Sequence, residues 1–208
     1  MKLEVKNLEK KFKDFTAVNN VNFSINDGKT LGLLGPNGCG KTTTIGMLLG
    51  LIKPSKGEIL IDGNNFEQLN REEILSKFNF ASPYVELPKK LTVKENLEIY
   101  GRLYGIRHLT ERINEIITDL NLKPFINKKT GELSSGQKNR VSLAKSLINK
   151  PEILFLDEPT ASLDPDIGDF VRKYIEQYKS KNKISILLAS HNMKEVERLC
   201  AEVIMMKE

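Results

Sequence analysis

Apolar and polar residues alternate from 3 to 8 and again from 18 to 25, so each stretch reads as a half-buried strand. Asn26-Asp27-Gly28 ends the second with a turn signal. Residues 30–34 are a short apolar strand that runs into a glycine loop, and 42–51 then carry a helix-like pattern. Another strand is expected at 58–61, closed by Asp62-Gly63, a hairpin-type turn. From about 71 to 150 the pattern turns mostly helical. Residues 92–103 open on Thr92 with Glu95 three places on, the spacing of a capping box. Residues 110–122 set Ile113, Ile116, Ile117 and Leu120 on one helical face, and 135–148 do the same with Val141, Ala144, Leu147 and Ile148. The remainder alternates: strand 153–156, helix 167–178, strand 184–189, helix 193–199, strand 203–206. Apolar strands bounded by helices predict a parallel sheet buried on both faces, with the helical stretch in the middle as an inserted lobe.

Composition narrows the class. In 208 residues, 39% are hydrophobic and 28% charged, ordinary proportions for a soluble globule with a real core. The most apolar stretch, 45–52, is far shorter than a bilayer span of roughly 20 residues and holds two glycines. Nothing at Met1 resembles a secretory leader. Two cysteines, Cys39 and Cys200, make no disulfide framework and suit a reducing compartment. An integral membrane protein, a secreted mini-domain and a disordered chain are thereby disfavoured. The formal net charge is +5, but the lysines are scattered, which reads as a solvated surface; no nucleic-acid partner is expected.

Three motifs carry chemistry. Gly35-Pro36-Asn37-Gly38-Cys39-Gly40-Lys41-Thr42 fits G-x-x-x-x-G-K-[ST] at every fixed position, between an expected strand and an expected helix. Glycines there let consecutive N–H groups converge on phosphate oxygens, and the helix start adds positive potential. Lys41 would reach the β- and γ-phosphates; Thr42 offers a hydroxyl to Mg²⁺, and Thr43 follows it at the helix start. Second, four apolar residues end in Asp157-Glu158. A buried strand delivers acids at its C-terminal end, where open α/β sheets bind ligands. Asp157 would share Mg²⁺ with Thr42, and Glu158 would polarise the attacking water. Third, Leu133-Ser134-Ser135-Gly136-Gln137 precedes a helix. Its small residues suit either anion capture or an ordinary serine N-cap.

Together these motifs resemble the ATP-binding-cassette (ABC) family of transport ATPases. Residues 133–137 are close to that family's Leu-Ser-Gly-Gly-Gln signature, with Ser135 in place of a glycine. Asp157-Glu158-Pro159-Thr160 resembles the acidic motif and its tail, Ala161-Ser162-Leu163-Asp164 the D-loop, and Ser190-His191 the switch histidine. Phe12 stands where the family stacks an aromatic on adenine, with Phe15 as the competing candidate. The order and spacing fit along essentially the whole chain.

The resemblance implies an α/β fold: a phosphate-loop NTPase core with a mostly parallel sheet, a small antiparallel β subdomain and an inserted helical lobe at about 83–150, in one domain over 1–208. It implies ATP and Mg²⁺ as ligands, with Glu158, His191 and Lys41 catalytic. Phe12, residues 35–43, Ser134, Ser135, Gly136, Gln137 and Asp164 are the expected nucleotide contacts. It implies an ATP-dependent head-to-tail dimer, each signature closing on the other copy's ATP. It further implies a separate membrane-spanning permease subunit and a peripheral place on the cytoplasmic face of the membrane. The segment 91–106 resembles exporter-type bacterial cassettes more than importers.

Two departures stand out. The family's glutamine ahead of the helical lobe is missing, and Ser82, Pro83 or Tyr84 occupies its place. Family members usually continue past the last strand with a glycine turn and another strand, which leaves a truncated or an unusually short chain as open readings. Two rivals are weaker. A GTPase would show Asn-Lys-x-Asp, whereas Asn127-Lys128-Lys129-Thr130 lacks the acid. A soluble cassette ATPase acting on ribosomes or DNA resembles longer chains with two cassettes or a coiled-coil insertion. Among single residues, Cys39 is expected to be a spectator in the loop, Cys200 a small buried hydrophobe and His108 a loop residue. Tyr100 and Tyr104, four apart on a helix, read as core, the alternative being a face for the membrane partner.

Overall fold

The computed structural model describes residues 1–207. Its centre is a five-stranded parallel sheet in the order β6-β7-β8-β3-β9, formed by β3 (Thr30–Leu34), β6 (Phe78–Ala81), β7 (Ile153–Asp157), β8 (Ser185–Ser190) and β9 (Glu202–Met205). In-register pairs such as Leu31↔Leu187, Leu154↔Ile186 and Phe80↔Phe155 hold it together. A second, antiparallel sheet has the order β2-β1-β4-β5, built from β1 (Leu3–Phe12), β2 (Phe15–Ile25), β4 (Lys56–Ile61) and β5 (Asn64–Asn65).

The inner strands β3, β7 and β8 are buried along their whole length because both faces are covered, while the edge strand β9 is largely exposed. Successive side chains point to opposite faces and so feed two separate cores. Leu33, Ile153, Phe155, Leu187 and Ala189 join the core shared with the antiparallel sheet and α1 (Lys41–Leu48). Leu154, Leu156, Ile186 and Leu188 join the core made with α3 (Val93–Leu103), α4 (Leu109–Asp119), α5 (Ser135–Leu147), α6 (Pro165–Asn182) and α7 (Met193–Leu199). Phe155 meets Phe78 edge-on, centroids 5.3 Å apart.

Three features differ from the sequence pattern. The stretch from 71 is not uniformly helical. It opens with the short α2 (Arg71–Ser76) and then gives β6, which extends the parallel sheet beside β7. Asn79 interrupts the apolar run there, yet it is buried, and its amide donates to Asn149 Oδ1 at 2.8 Å. The first two strands are longer than expected and meet in a hairpin, Phe12 pairing with Phe15 around Lys13, whose φ is 51°. The exposed Lys/Phe alternation at 10–15 carried no core signal. The helix expected at 42–51 stops at Leu48, and Gly50 follows with φ 65°.

The capping box at Thr92 forms: Glu95 N–H donates to Thr92 Oγ1 at 3.1 Å and Thr92 N–H to Glu95 Oε2 at 2.7 Å. Tyr100 and Tyr104 pack inward, and the Lys145 ammonium sits 5.4 Å from the Tyr100 ring centroid. The exposed face of that helix carries Ile99 and Leu103 instead. Cys200 is largely buried, which pushes its thiol up to about 12. Cys39 is buried in the loop before α1, and His108 is exposed at the start of α4, 3.6 Å from Glu111. Among the described residues no helix is long and apolar enough to cross a membrane.

Candidate functional site

The loop after β3 turns over the C-terminal edge of the parallel sheet and delivers Lys41 to the first position of α1. The turn needs Gly40: its φ is 95°, and a Cβ there would strike the carbonyl oxygen of Ala17 in β2. Lys41 is buried and folded back on its own loop, its ammonium donating to the carbonyls of Gly35 at 2.7 Å and Pro36 at 2.9 Å. Beside it, Thr42 Oγ1 donates to Asp157 Oδ2 at 2.7 Å, bridging α1 and the end of β7.

Asp157 and Glu158 are both buried. Burial raises the Asp157 pKa above the ordinary carboxylate value; the Thr42 hydrogen bond opposes the shift, neighbouring Glu158 adds to it, and Lys41 offsets part. Glu158 has a left-handed backbone, φ 53°, pinned by its N–H donating to Ala189 O at 2.8 Å. Its Oε1 accepts the His191 backbone N–H at 3.0 Å, and it lies 2.8 Å from His191 Nδ1 and 3.8 Å from Lys41 Nζ. Its Oε2 has only the Ser190 hydroxyl near, at 3.4 Å. One oxygen is thus surrounded by donors and the other is left comparatively free.

Lys41, Thr42, Asp157 and Glu158, with Asn37, Gly38, Thr43 and Tyr84, surround a cavity of about 300 Å³. Of the three residues in the place of the missing glutamine, Tyr84 is the one that lines it; Ser82 is buried with its Oγ accepting the Tyr84 N–H at 3.3 Å, and Pro83 is exposed. A larger groove of about 790 Å³ shares Gly38 with this cavity and runs along Cys39, β2 and β9. Phe15 lines that groove. Phe12, the expected base-stacking aromatic, does not, and the Lys10 ammonium lies 4.9 Å from its ring centroid.

The signature lies elsewhere. Ser134 is the N-cap of α5, its Oγ accepting from Gln137 N–H at 3.3 Å while Gln137 Oε1 accepts from Ser134 N–H at 3.1 Å. Gly136 is buried where a Cβ would sit 2.7 Å from Ile167 Cδ1, so it sets the approach of α6 to α5. Ser135 borders a different cavity, about 380 Å³, together with 161–163 and Tyr84. Asp164 is exposed at the N-cap of α6 without a side-chain cap bond. The phosphate loop and the signature line different cavities, and Tyr84 alone borders the two.

The sequence reading missed Glu195. This buried acid accepts from Ser190 Oγ at 2.7 Å and Thr160 Oγ1 at 2.6 Å. Three places after Asn192 it reads as a capping-box acid, but its side chain turns inward to those two hydroxyls instead. Asn139 of α5 was also missed; its amide donates to Pro159 O at 2.7 Å.

A glycine loop at a helix start, a lysine over it and a hydroxyl–carboxylate pair at the sheet's C-terminal edge define a phosphate-loop nucleoside triphosphatase. The donor set fits Mg²⁺. Thr42 Oγ1 and Asp157 Oδ2 are hard oxygens that meet beside the phosphate loop, the donor chemistry that Mg²⁺ takes together with phosphate and water.

Residues 18–161 match the family model for ABC transporters, and the chain belongs to that family. It is 36% identical over 208 residues to the Nod factor export ATP-binding protein I of Burkholderia lata, covering 99% of this chain and 68% of that one. It is 37% identical to the ABC transporter ATP-binding protein NatA of Bacillus subtilis, covering 91% and 77%. A dimeric bacterial ABC transporter cassette superposes with a TM-score of 0.89 at 26% identity, covering 99% of this chain and 94% of that one. The same cassette in a post-hydrolysis state, bound to ADP and Pi, gives 0.88 at 27% identity, covering the same shares. The chain is an ATP-binding, ATP-hydrolysing transporter subunit that uses ATP with Mg²⁺.

Proposed function

We propose that this cassette powers export through a separate membrane-spanning subunit, sits peripherally on the cytoplasmic face, and works as an ATP-dependent head-to-tail dimer. The names of two relatives support transport, and one of them its direction: the Burkholderia lata relative is a Nod factor export protein. The other is the bacitracin transport ATP-binding protein BcrA of Bacillus licheniformis, 38% identical, covering 97% of this chain and 65% of that one. The observation that carries the dimer is the separation of Lys41 and Ser135 into different cavities. A signature that lines a different cavity from its own phosphate loop is free to cover a second copy's.

On this reading ATP draws Lys41 off the Gly35 and Pro36 carbonyls and onto its β- and γ-phosphates, while the loop amides of 37–43 cradle them. Thr42 and Asp157 would hold a magnesium ion, which would supply neutralisation of phosphate charge. The base stacks on the exposed aromatic face of the β1–β2 hairpin, where Phe12 and Phe15 are paired. Glu158 keeps Oε1 on the His191 turn and uses Oε2 to take a proton from the attacking water. The new P–O bond forms as the bond to ADP breaks, and His191 contacts the departing phosphate. Ser134, Ser135, Gln137 and Asp164 belong to the surface that meets the partner copy's nucleotide, and the buried Gly136 supports it from beneath.

Glu158→Gln tests both halves. Turnover should fall by about 10²–10⁴ while ATP still binds, and light scattering should show a Mg-ATP-dependent dimer. Full turnover removes Glu158 as the base; slow turnover without a dimer removes the head-to-tail arrangement.

A further inference from the structure

Glu195 is 1% exposed, and its two close partners are both neutral hydroxyls, Ser190 at 2.7 Å and Thr160 at 2.6 Å. The Arg172 guanidinium reaches it only through Thr160 Oγ1, at 3.4 Å. A carboxylate buried on neutral donors is a poor way to stabilise a fold. The two hydroxyls flank the two turns that carry the hydrolytic side chains. Thr160 lies two residues after Glu158, whose left-handed backbone must be held by its surroundings. Ser190 immediately precedes His191.

We propose that Glu195 is a positioning residue for hydrolysis: its carboxylate ties the Glu158 turn to the His191 turn and holds the Ser190 hydroxyl hydrogen away from Glu158. Ser190 has one hydrogen to give and accepts from Asn192 N–H at 3.0 Å. Glu195 Oε2 is 2.7 Å away and Glu158 Oε2 is 3.4 Å away, so the hydrogen goes to Glu195. Glu158 Oε2 then keeps no close donor and faces the water. A glutamine at 195 can accept from one hydroxyl, but its NH₂ cannot accept from the other. Whichever hydroxyl faces the NH₂ must accept from it and turn its own hydrogen away, and at Ser190 the acceptor within reach is Glu158 Oε2.

This inference rests on Glu158 and His191 acting as described above, so Glu158→Gln is assayed in parallel. Purified full-length chain is compared as wild type, Glu195→Gln, Ser190→Ala and the double variant, by steady-state ATPase assay and thermal melting. Glu195→Gln should lower kcat about ten- to a hundredfold, the scale of a misplaced catalytic group, with KM for ATP within about twofold and Tm unchanged or higher. The double variant should be no slower than Glu195→Gln alone, because both changes break one link. Unchanged kcat in Glu195→Gln overturns the proposal when Glu158→Gln is inactive. A kcat loss that follows a falling Tm, or a fully additive double variant, overturns it as well. Normal turnover in Glu158→Gln instead overturns the parent assignment of the base.

Discussion

The phosphate end and the signature end of this chain are built on opposite plans. At the phosphate end Lys41, Asp157 and Glu158 are buried and already bonded to the loop, to Thr42 and to His191. At the signature Ser134 and Ser135 are exposed, and Ser134 and Gln137 satisfy only their own helix start. The first is a charged network that ATP must reorganise to enter. The second is a finished helix terminus whose amides and hydroxyls cost nothing to present. The difference teaches that one half of the site is prepared within the chain and the other is prepared for a surface brought to it. The link between the halves is α5: it starts at the signature, and Asn139 on it holds the Pro159 carbonyl beside Glu158.

The sharpest way to break the comparison is Asp157→Asn. Burial raises the Asp157 pKa above its unfolded value, so the folded state holds that proton more tightly. The ionised side chain therefore costs stability above the folded pKa, and the cost fades as pH falls through it. Asparagine keeps an acceptor for Thr42 and removes the charge. Without nucleotide its Tm should exceed that of wild type at neutral pH, with the gap closing in acid. Mg-ATP turnover should fall by about 10²-fold or more, the scale of a lost electrostatic contact. A lower Tm at neutral pH would show that the buried acid is not held at the expense of the fold.

The hairpin gives a smaller effect and decides between two aromatics. Phe15 lines the groove that shares Gly38 with the phosphate cavity, while the Phe12 ring lies beside the Lys10 ammonium. Phe15→Ala should weaken ATP binding by about 1–3 kcal/mol, the worth of one base stack, and leave inorganic triphosphate binding nearly unchanged. Equilibrium titrations of both alanine variants check it. A larger loss from Phe12→Ala would place the base on that ring.

Much of this was legible because the phosphate chemistry is contiguous. Residues 35–42 and 157–158 each hold their full logic in one short run, and the apolar strands that position them are unbroken. The helix starts at Thr92 and Ser134 were legible for the same reason. What sequence did not carry depends on partners far along the chain. β6 contains a polar Asn79 that only the packing against Asn149 makes compatible with burial. Glu195 looks like a local cap until Thr160, 35 residues away, comes beside it. The choice of Tyr84 over Ser82 and Pro83 depends on which side chain reaches the cavity wall, and spacing cannot state that.

The smallest expected effect is at the signature itself. Ser135 is exposed at the first position of α5, and no bond from its side chain holds the fold. At a helix start the backbone N–H is the group free to meet an anion, and serine and glycine supply it equally. Ser135→Gly should therefore change turnover by no more than about two- to threefold, since each 1.4 kcal/mol is tenfold and no contact of that size is removed. Glycine also adds backbone freedom, so Tm should fall slightly, by the equivalent of at most about 1 kcal/mol. ATPase assays and thermal melts on the two proteins measure both. A rate gain of tenfold or more would mean that the serine hydroxyl holds the partner's nucleotide in an unproductive geometry. The signature end would then be a restrained surface, and the contrast with the phosphate end would narrow to a difference in burial.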